Sequence, residues 1–284
     1  MKRVALINDL SGFGKCSLTA AIPVISVMGL QACPFPTAIL SAQTGFSSYF
    51  CDDYTDKMDV FTSEWQKMNV SFDGIQSGFL ASAAQIEKVL HFLDVFQQGD
   101  TIYLADPVLG DSGVKMKAFS NELLDGMKEL VKRCSICTPN LTELCLLADD
   151  DYDTLVTYSD KAEYNERIIE TAHKLIKTRD KNKTVLVTGI IHTRNSSPYI
   201  GNLAVSESDS HYLETPYTGR SFSGTGDLFA AIICGALVKG LCVSDAMKMA
   251  ADFLQPAIEE ASASDIDRNH GIFFEKYLHL LTLA

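Results

Sequence analysis

The chain has 284 residues, 46% of them hydrophobic and 21% charged, which is ordinary globular usage and excludes a disordered or fibrous protein. With 36 acidic against 24 basic residues the formal charge is −12, so a phosphate backbone would meet repulsion and nucleic acid is not an expected partner. No apolar run reaches the roughly 18 to 20 residues of a membrane helix, and Asn8 and Asp9 cut the N-terminal apolar stretch short of a signal-peptide core, so neither a membrane nor export is expected.

Strand-length apolar runs at 4–7, 37–40, 74–77, 102–105, 135–138 and 185–188 alternate with segments of helical period. That order predicts parallel βαβ units, hence an α/β fold with a mostly parallel sheet. Most runs end in a polar or glycine turn: Asn8-Asp9, Gly78, Asp106-Pro107, Pro139-Asn140 and Gly189. The carboxyl ends of such strands form the ligand crevice of open α/β sheets, so chemistry is sought there first. Ile86, Val89, Leu90 and Leu93 follow helical spacing, Phe96 extends the stripe, and Gly99 stands beyond it as a stop. Residues 199–205 and 211–215, around Ser-Glu-Ser-Asp-Ser, predict a polar hairpin. Phe229, Ile232, Ile233, Ala236 and Leu237 repeat the helical period before Gly240. No repeat or linker interrupts the chain, so residues 1–284 read as one domain.

Residues 9–17, DLSGFGKCS, fail as a nucleotide loop. A Walker A loop needs glycine where Asp9 stands and Ser or Thr where Cys16 stands, and a dinucleotide fingerprint needs glycine at Ser17. A tight turn before a helix is one reading; an acidic residue placed to bind a substrate hydroxyl or ring nitrogen is the other. The stronger signal is Ser223-Gly224-Thr225-Gly226-Asp227, a glycine turn opening an apolar helix. There the backbone N–H groups and the helix dipole suit an anion, and Asp227 in the first turn could face an acceptor hydroxyl. It could equally cap the helix. Two further turns, Asp106 to Asp111 and Thr138 to Glu143, gather carboxylates and an amide of the kind Mg²⁺ accepts beside substrate phosphates. Asn140 and Thr142 at a helix start also read as capping residues.

GTGDLFAA, the DPVLGD turn, the TPNLTE turn and the AQTGF segment, in this order and spacing, resemble the pyridoxal kinase family of the ribokinase-like superfamily over essentially the whole chain. The resemblance implies a three-layer ribokinase-like fold, a mostly parallel central sheet flanked by helices, and ATP-dependent phosphorylation of the 5'-hydroxymethyl group of a B6 vitamer. By that likeness Asp227 would be the base, and Gly224, Thr225 and Gly226 the anion hole. Asp111 and Glu143 would organise Mg²⁺ and the ATP phosphates with Asp106 and Asn140 beside them, and Thr138, Thr188 and Ser223 would lie near the nucleotide. Thr44 and Phe79 would meet the pyridine substrate, with Asp9 also on the substrate side. The likeness further implies a homodimer and leaves room for a monovalent cation. Two departures stand out. Asp9 replaces the serine of the family's familiar Ser-His turn and is closer to hydroxymethylpyrimidine kinases, and Phe79 stands where tyrosine is more familiar. Hydroxymethylpyrimidine kinase and a non-catalytic B6-binding protein are the alternatives.

Other features read as structural. Cys134 and Cys137 form a lone CxxC with Cys145 further on, without histidines nearby, and read as buried strand thiols rather than zinc ligands. All eight cysteines read as reduced and buried, which fits a cytoplasmic protein. His91 and His279 sit among apolar helical positions and read as packed or half-exposed, and no HExxH or GxSxG pattern occurs. The acidic run 149–153 and the run 180–183 read as solvated loops.

Overall fold

A computed structural model describes residues 1–159, 162–177 and 183–282. In chain order its elements are β1 (Arg3–Ser11), α1 (Ser17–Val27), β2 (Gln31–Leu40), β3 (Cys51–Asp53), α2 (Thr55–Lys67), β4 (Gly74–Ser77), α3 (Ala83–Phe96), β5 (Ile102–Ala105), β6 (Gly110–Asp111), β7 (Val114–Lys115), α4 (Asn121–Arg133), β8 (Ile136–Cys137), α5 (Leu141–Ala148), α6 (Tyr152–Val156), α7 (Tyr164–Ile176), β9 (Thr184–Arg194), β10 (Ser197–Val205), β11 (Ser210–Pro216), α8 (Thr225–Lys239) and α9 (Val243–Ala263). They form two compact units, one of residues 1–104 with 220–284 and one of residues 105–219.

In the first unit β1 is the central strand, pairing in parallel with β2 on one side and β4 on the other. Its run Val4, Ala5, Leu6 and Ile7 is at most 1% exposed, as an apolar strand covered on both faces must be. The strand continues past the expected turn: Leu10 and Ser11 still pair with Ile39 and Leu40 after a register shift that follows Asn8. Asn8 and Asp9 therefore lie inside the strand and are 4% and 5% exposed. Short β3 closes the other side of β2 in antiparallel pairing. Phe35, Trp65, Phe72, Phe92 and Phe96 join β2, α2 and α3 through ring contacts down to 4.6 Å. His91, against the expectation, is exposed, since it falls on the face of α3 opposite Ile86, Val89 and Leu93; His279 is exposed too. Helix α8 packs on α1 and α9 and ends at Gly240 with φ +96°.

In the second unit β8 pairs in parallel with β9, and β9, β10 and β11 form an antiparallel meander. The polar hairpin is β10–β11. A second hairpin precedes it, turning at Asn195 and Ser196, both with positive φ as a two-residue turn requires. Gly189 does not end its strand: with φ +70° it sits where the β9–β10 register shifts, so β9 bends and runs on to Arg194. Lys183, expected in a solvated loop, is 1% exposed and donates to the Val131 carbonyl at 2.6 Å and the Leu175 carbonyl at 3.5 Å, serving chain ends of α4 and α7; the rest of that run, 180–182, lies outside the described residues. The run 149–153 is mostly solvated, but Asp151 caps α6 and Asp150 binds Thr171 and Lys174. All eight cysteines are free thiols; Cys134, Cys137 and Cys145 are buried as expected, whereas Cys51 and Cys242 are exposed. With parallel pairing at β1, β2, β4, β8 and β9 and helices between the strands, the fold is the expected α/β type with a mostly parallel sheet flanked by helices.

Candidate active site

In the first unit the chemistry gathers at the start of α8. Gly224 is its N-cap with φ +84°, and a Cβ there would lie 1.8 Å from the Lys15 carbonyl oxygen, so both conformation and close approach require glycine. The Thr225 hydroxyl donates to the Phe222 carbonyl at 3.0 Å. The first N–H groups of a helix lack intrahelical acceptors, and with the helix dipole they create a site of positive potential. Gly226 is different: a Cβ there would meet nothing within 4 Å, so the fold does not demand glycine.

Asp227 lies in the first turn of α8, three residues after the N-cap Gly224. Its carboxylate accepts the Asn8 Nδ2 amide at 3.1 Å, with the backbone N–H groups of Ser17 and of Asp227 itself beside it. Burial pushes its carboxyl up to about 6; the neighbouring charge of Asp9 acts in the same direction, while the Ser17 N–H and the Asn8 amide oppose both. Such a group is ionised at neutral pH yet able to accept a proton. Asn8 is itself fixed, its Oδ1 accepting the N–H groups of Asp9 and Phe79, both at 3.0 Å. Gly78 leaves it room, since a Cβ there would come within 2.3 Å of Asn8 Nδ2. Phe79 thus meets the cluster through its backbone.

Asp9 is engaged on both oxygens, accepting the Ser17 hydroxyl at 2.6 Å and the Ser11 hydroxyl at 2.8 Å; burial raises its carboxyl while these hydroxyls hold it down. Thr44 is exposed in a turn anchored by its neighbour Gln43. The Gln43 carboxamide accepts the Gly45 N–H at 2.7 Å and donates to the Asn269 carbonyl at 3.1 Å and the Ser223 hydroxyl at 3.4 Å. Ser223, expected near the nucleotide, is part of this network. Lys15 binds Glu275 at 2.8 Å and the Ile272 carbonyl at 3.1 Å, so residues 12–16 form the tight turn before α1.

In the second unit the two acidic turns meet. Thr138 donates to Asp106 at 3.1 Å, and Asn140 Nδ2 donates to the Gly110 carbonyl at 2.8 Å. Glu143, 5% exposed, accepts the N–H groups of Leu109 at 3.1 Å and Asn140 at 2.9 Å, completing a capping box with Asn140 on α5. Burial and then the charge of Asp106 push the Glu143 carboxyl well above the usual range. Two such hard oxygen donors fit a hard divalent cation. Asp111 stands apart, exposed on β6 and bonded to Ser112. Thr188 donates its N–H to the Pro139 carbonyl at 2.9 Å and is bridged to Asn140. Among the described residues no group of three or more His, Cys, Asp or Glu side chains is gathered to hold a metal ion.

The sequence reading thus found Asp227 and Glu143 but passed over Asn8, Ser11, Ser17, Gln43 and Asn269. Asn8, Ser11, Ser17 and Gln43 stood inside segments already singled out, though without a role there; Asn269 left no local signal.

Comparison with known proteins places these features in context. The model of the phosphomethylpyrimidine kinase family matches residues 17–273. A candidate phosphomethylpyrimidine kinase from Bacteroides thetaiotaomicron, crystallised with pyridoxal, is 35% identical, with a TM-score of 0.89 over 99% of this chain and 95% of that one. The pyridoxal kinase of Lactobacillus plantarum shares the fold, with a TM-score of 0.86 and 24% identity over 99% of this chain and 96% of its own. The pyridoxine/pyridoxal/pyridoxamine kinase of Bordetella bronchiseptica is 26% identical over 261 residues, 87% of this chain and 85% of the relative.

Proposed function

Because the chain belongs to the phosphomethylpyrimidine kinase family, we propose that it transfers the γ-phosphoryl group of ATP to the 5'-hydroxymethyl group of B6 vitamers. The observation that supports this most is Asp227, a half-buried carboxylate raised to about 6 immediately behind the glycine turn of α8. The 35% identity to a protein crystallised with pyridoxal directs the reading to a pyridine alcohol.

In this reading Asp227 orients the acceptor hydroxyl and takes its proton late, because a loose phosphoryl-transfer transition state places little charge on the attacking oxygen. The N–H groups at Gly224, Thr225 and Gly226 stabilise charge on the transferring group. Asn8 keeps the Asp227 carboxylate aimed, and the Gln43 network holds the turn that bears Thr44. Asp106, Glu143 and the neighbouring Asn140 would hold Mg²⁺ and the nucleotide phosphates, with Asp111, Thr138 and Thr188 on the same nucleotide side. Mg²⁺, when bound, supplies charge neutralisation for the phosphates.

A second reading is phosphorylation of hydroxymethylpyrimidine, favoured by membership of the phosphomethylpyrimidine kinase family and by Asp9 at the position where many pyridoxal kinases carry serine. Competition decides between them: hydroxymethylpyrimidine should inhibit pyridoxal turnover weakly, and tight inhibition with its own rapid phosphorylation would favour the second reading.

A further inference from the structure

Ser17 combines features that helix initiation does not need. It is a non-glycine residue with φ +51° at the first position of α1, and it is 6% exposed. An L-residue holds that left-handed conformation at an energetic cost unless its surroundings fix it. Here the conformation places Ser17 between two carboxyl groups. The Ser17 hydroxyl donates to Asp9 Oδ1 at 2.6 Å, while its backbone N–H faces the carboxylate of Asp227. Ser11 closes the other oxygen of Asp9 at 2.8 Å.

Resting on the reading of Asp227 as the base, we propose that Ser17 is a positioning residue that ties the two carboxyl groups together: its left-handed backbone turns an N–H toward Asp227 while its hydroxyl binds the carboxyl of Asp9 behind it. Hydroxyl donors favour the ionised form of a carboxyl, and an ionised neighbour raises the proton affinity of the next one. The titratable groups facing Asp227 are Asp9 from β1 and Cys16 from the turn before α1. The Cys16 thiol, pushed up to about 12 chiefly by burial, stays neutral, and Asn8 and Ser17 are uncharged partners. Asp9 is then the neighbour through which the Ser17 hydroxyl acts on Asp227.

The test is a ¹³C-detected titration of the Asp carboxyl groups in the wild-type chain, Ser17→Ala, Asp9→Asn and the double variant. It needs no substrate, so its outcome is independent of the kinase reading, which an ADP-formation assay tests. Asp227 should titrate near 6 in the wild type. In Asp9→Asn its midpoint should fall by roughly one pH unit, and in Ser17→Ala by part of that. In the Asp9→Asn background Ser17→Ala should add nothing, because it acts through Asp9. An unchanged midpoint in Ser17→Ala, or the same shift with and without Asp9, would overturn the proposal. Should Ser17→Ala fail to fold, Ser17→Gly removes the hydroxyl without a Cβ in the left-handed region and is read in the same way.

Discussion

At the scale of single residues the proposed chemistry turns on Asp227. With its carboxyl at about 6 it is roughly nine-tenths ionised at pH 7 and loses its base form as pH falls through 6. The acid limb of kcat/KM for the acceptor should therefore lie near pH 6, read from a pH–rate profile. Asp227→Asn should lower kcat by roughly 10² to 10⁴ with little change in KM for ATP; near-normal turnover would remove Asp227 from the role. The same burial has a stability consequence with a definite sign. The folded state binds this proton more tightly than the unfolded chain, whose carboxyl sits at 3.8, so stability contributed by the group rises as pH falls from 6 toward 4. At pH 7 the ionised group opposes folding by up to about 3 kcal/mol. Asp227→Asn should accordingly raise Tm at pH 7 by a few degrees while lowering activity, a split that a lost structural contact would not give.

At the scale of elements, α8 offers a paired test in its first turn. Gly224→Ala sets a Cβ against the Lys15 carbonyl in a left-handed backbone and should unfold the turn, with Tm falling sharply. Gly226→Ala meets no atom within 4 Å, so the fold should tolerate it with Tm unchanged or slightly raised. If N–H groups at this turn hold a transferring phosphoryl group, Gly226→Ala should still cost activity, because the conflict is with the ligand. Full activity in Gly226→Ala would argue against close approach of the phosphate there. Helices α3 and α8 were legible from their apolar period, and Asn140 as a cap from residue type; its partner in the box is Glu143, whereas Thr142, also read as capping, accepts the Gly113 N–H. What escaped the sequence depends on pairings remote along the chain. β1 continues because Leu10 and Ser11 meet Ile39 and Leu40, and Gln43 matters because it meets Asn269 and Ser223. The positive φ of Ser17 has no compositional signal, since serine rarely adopts it.

At the scale of the whole molecule, Asp227 and the glycine turn belong to the first unit and the acidic pair Asp106 and Glu143 to the second. The first unit is discontinuous, left at Leu104 and resumed at Arg220. The reading of residues 1–284 as one domain predicts a single calorimetric transition with matching calorimetric and van't Hoff enthalpies; two separated transitions would contradict it. The proposed homodimer predicts twice the chain mass by light scattering. The most direct measurement of the central claim is ADP formation by the purified protein with Mg²⁺ and ATP, run in parallel with pyridoxal, pyridoxine, pyridoxamine and hydroxymethylpyrimidine. Turnover of at least one B6 vitamer well above hydroxymethylpyrimidine is the predicted result. Turnover of hydroxymethylpyrimidine alone, or of none of the four, would contradict a B6 kinase.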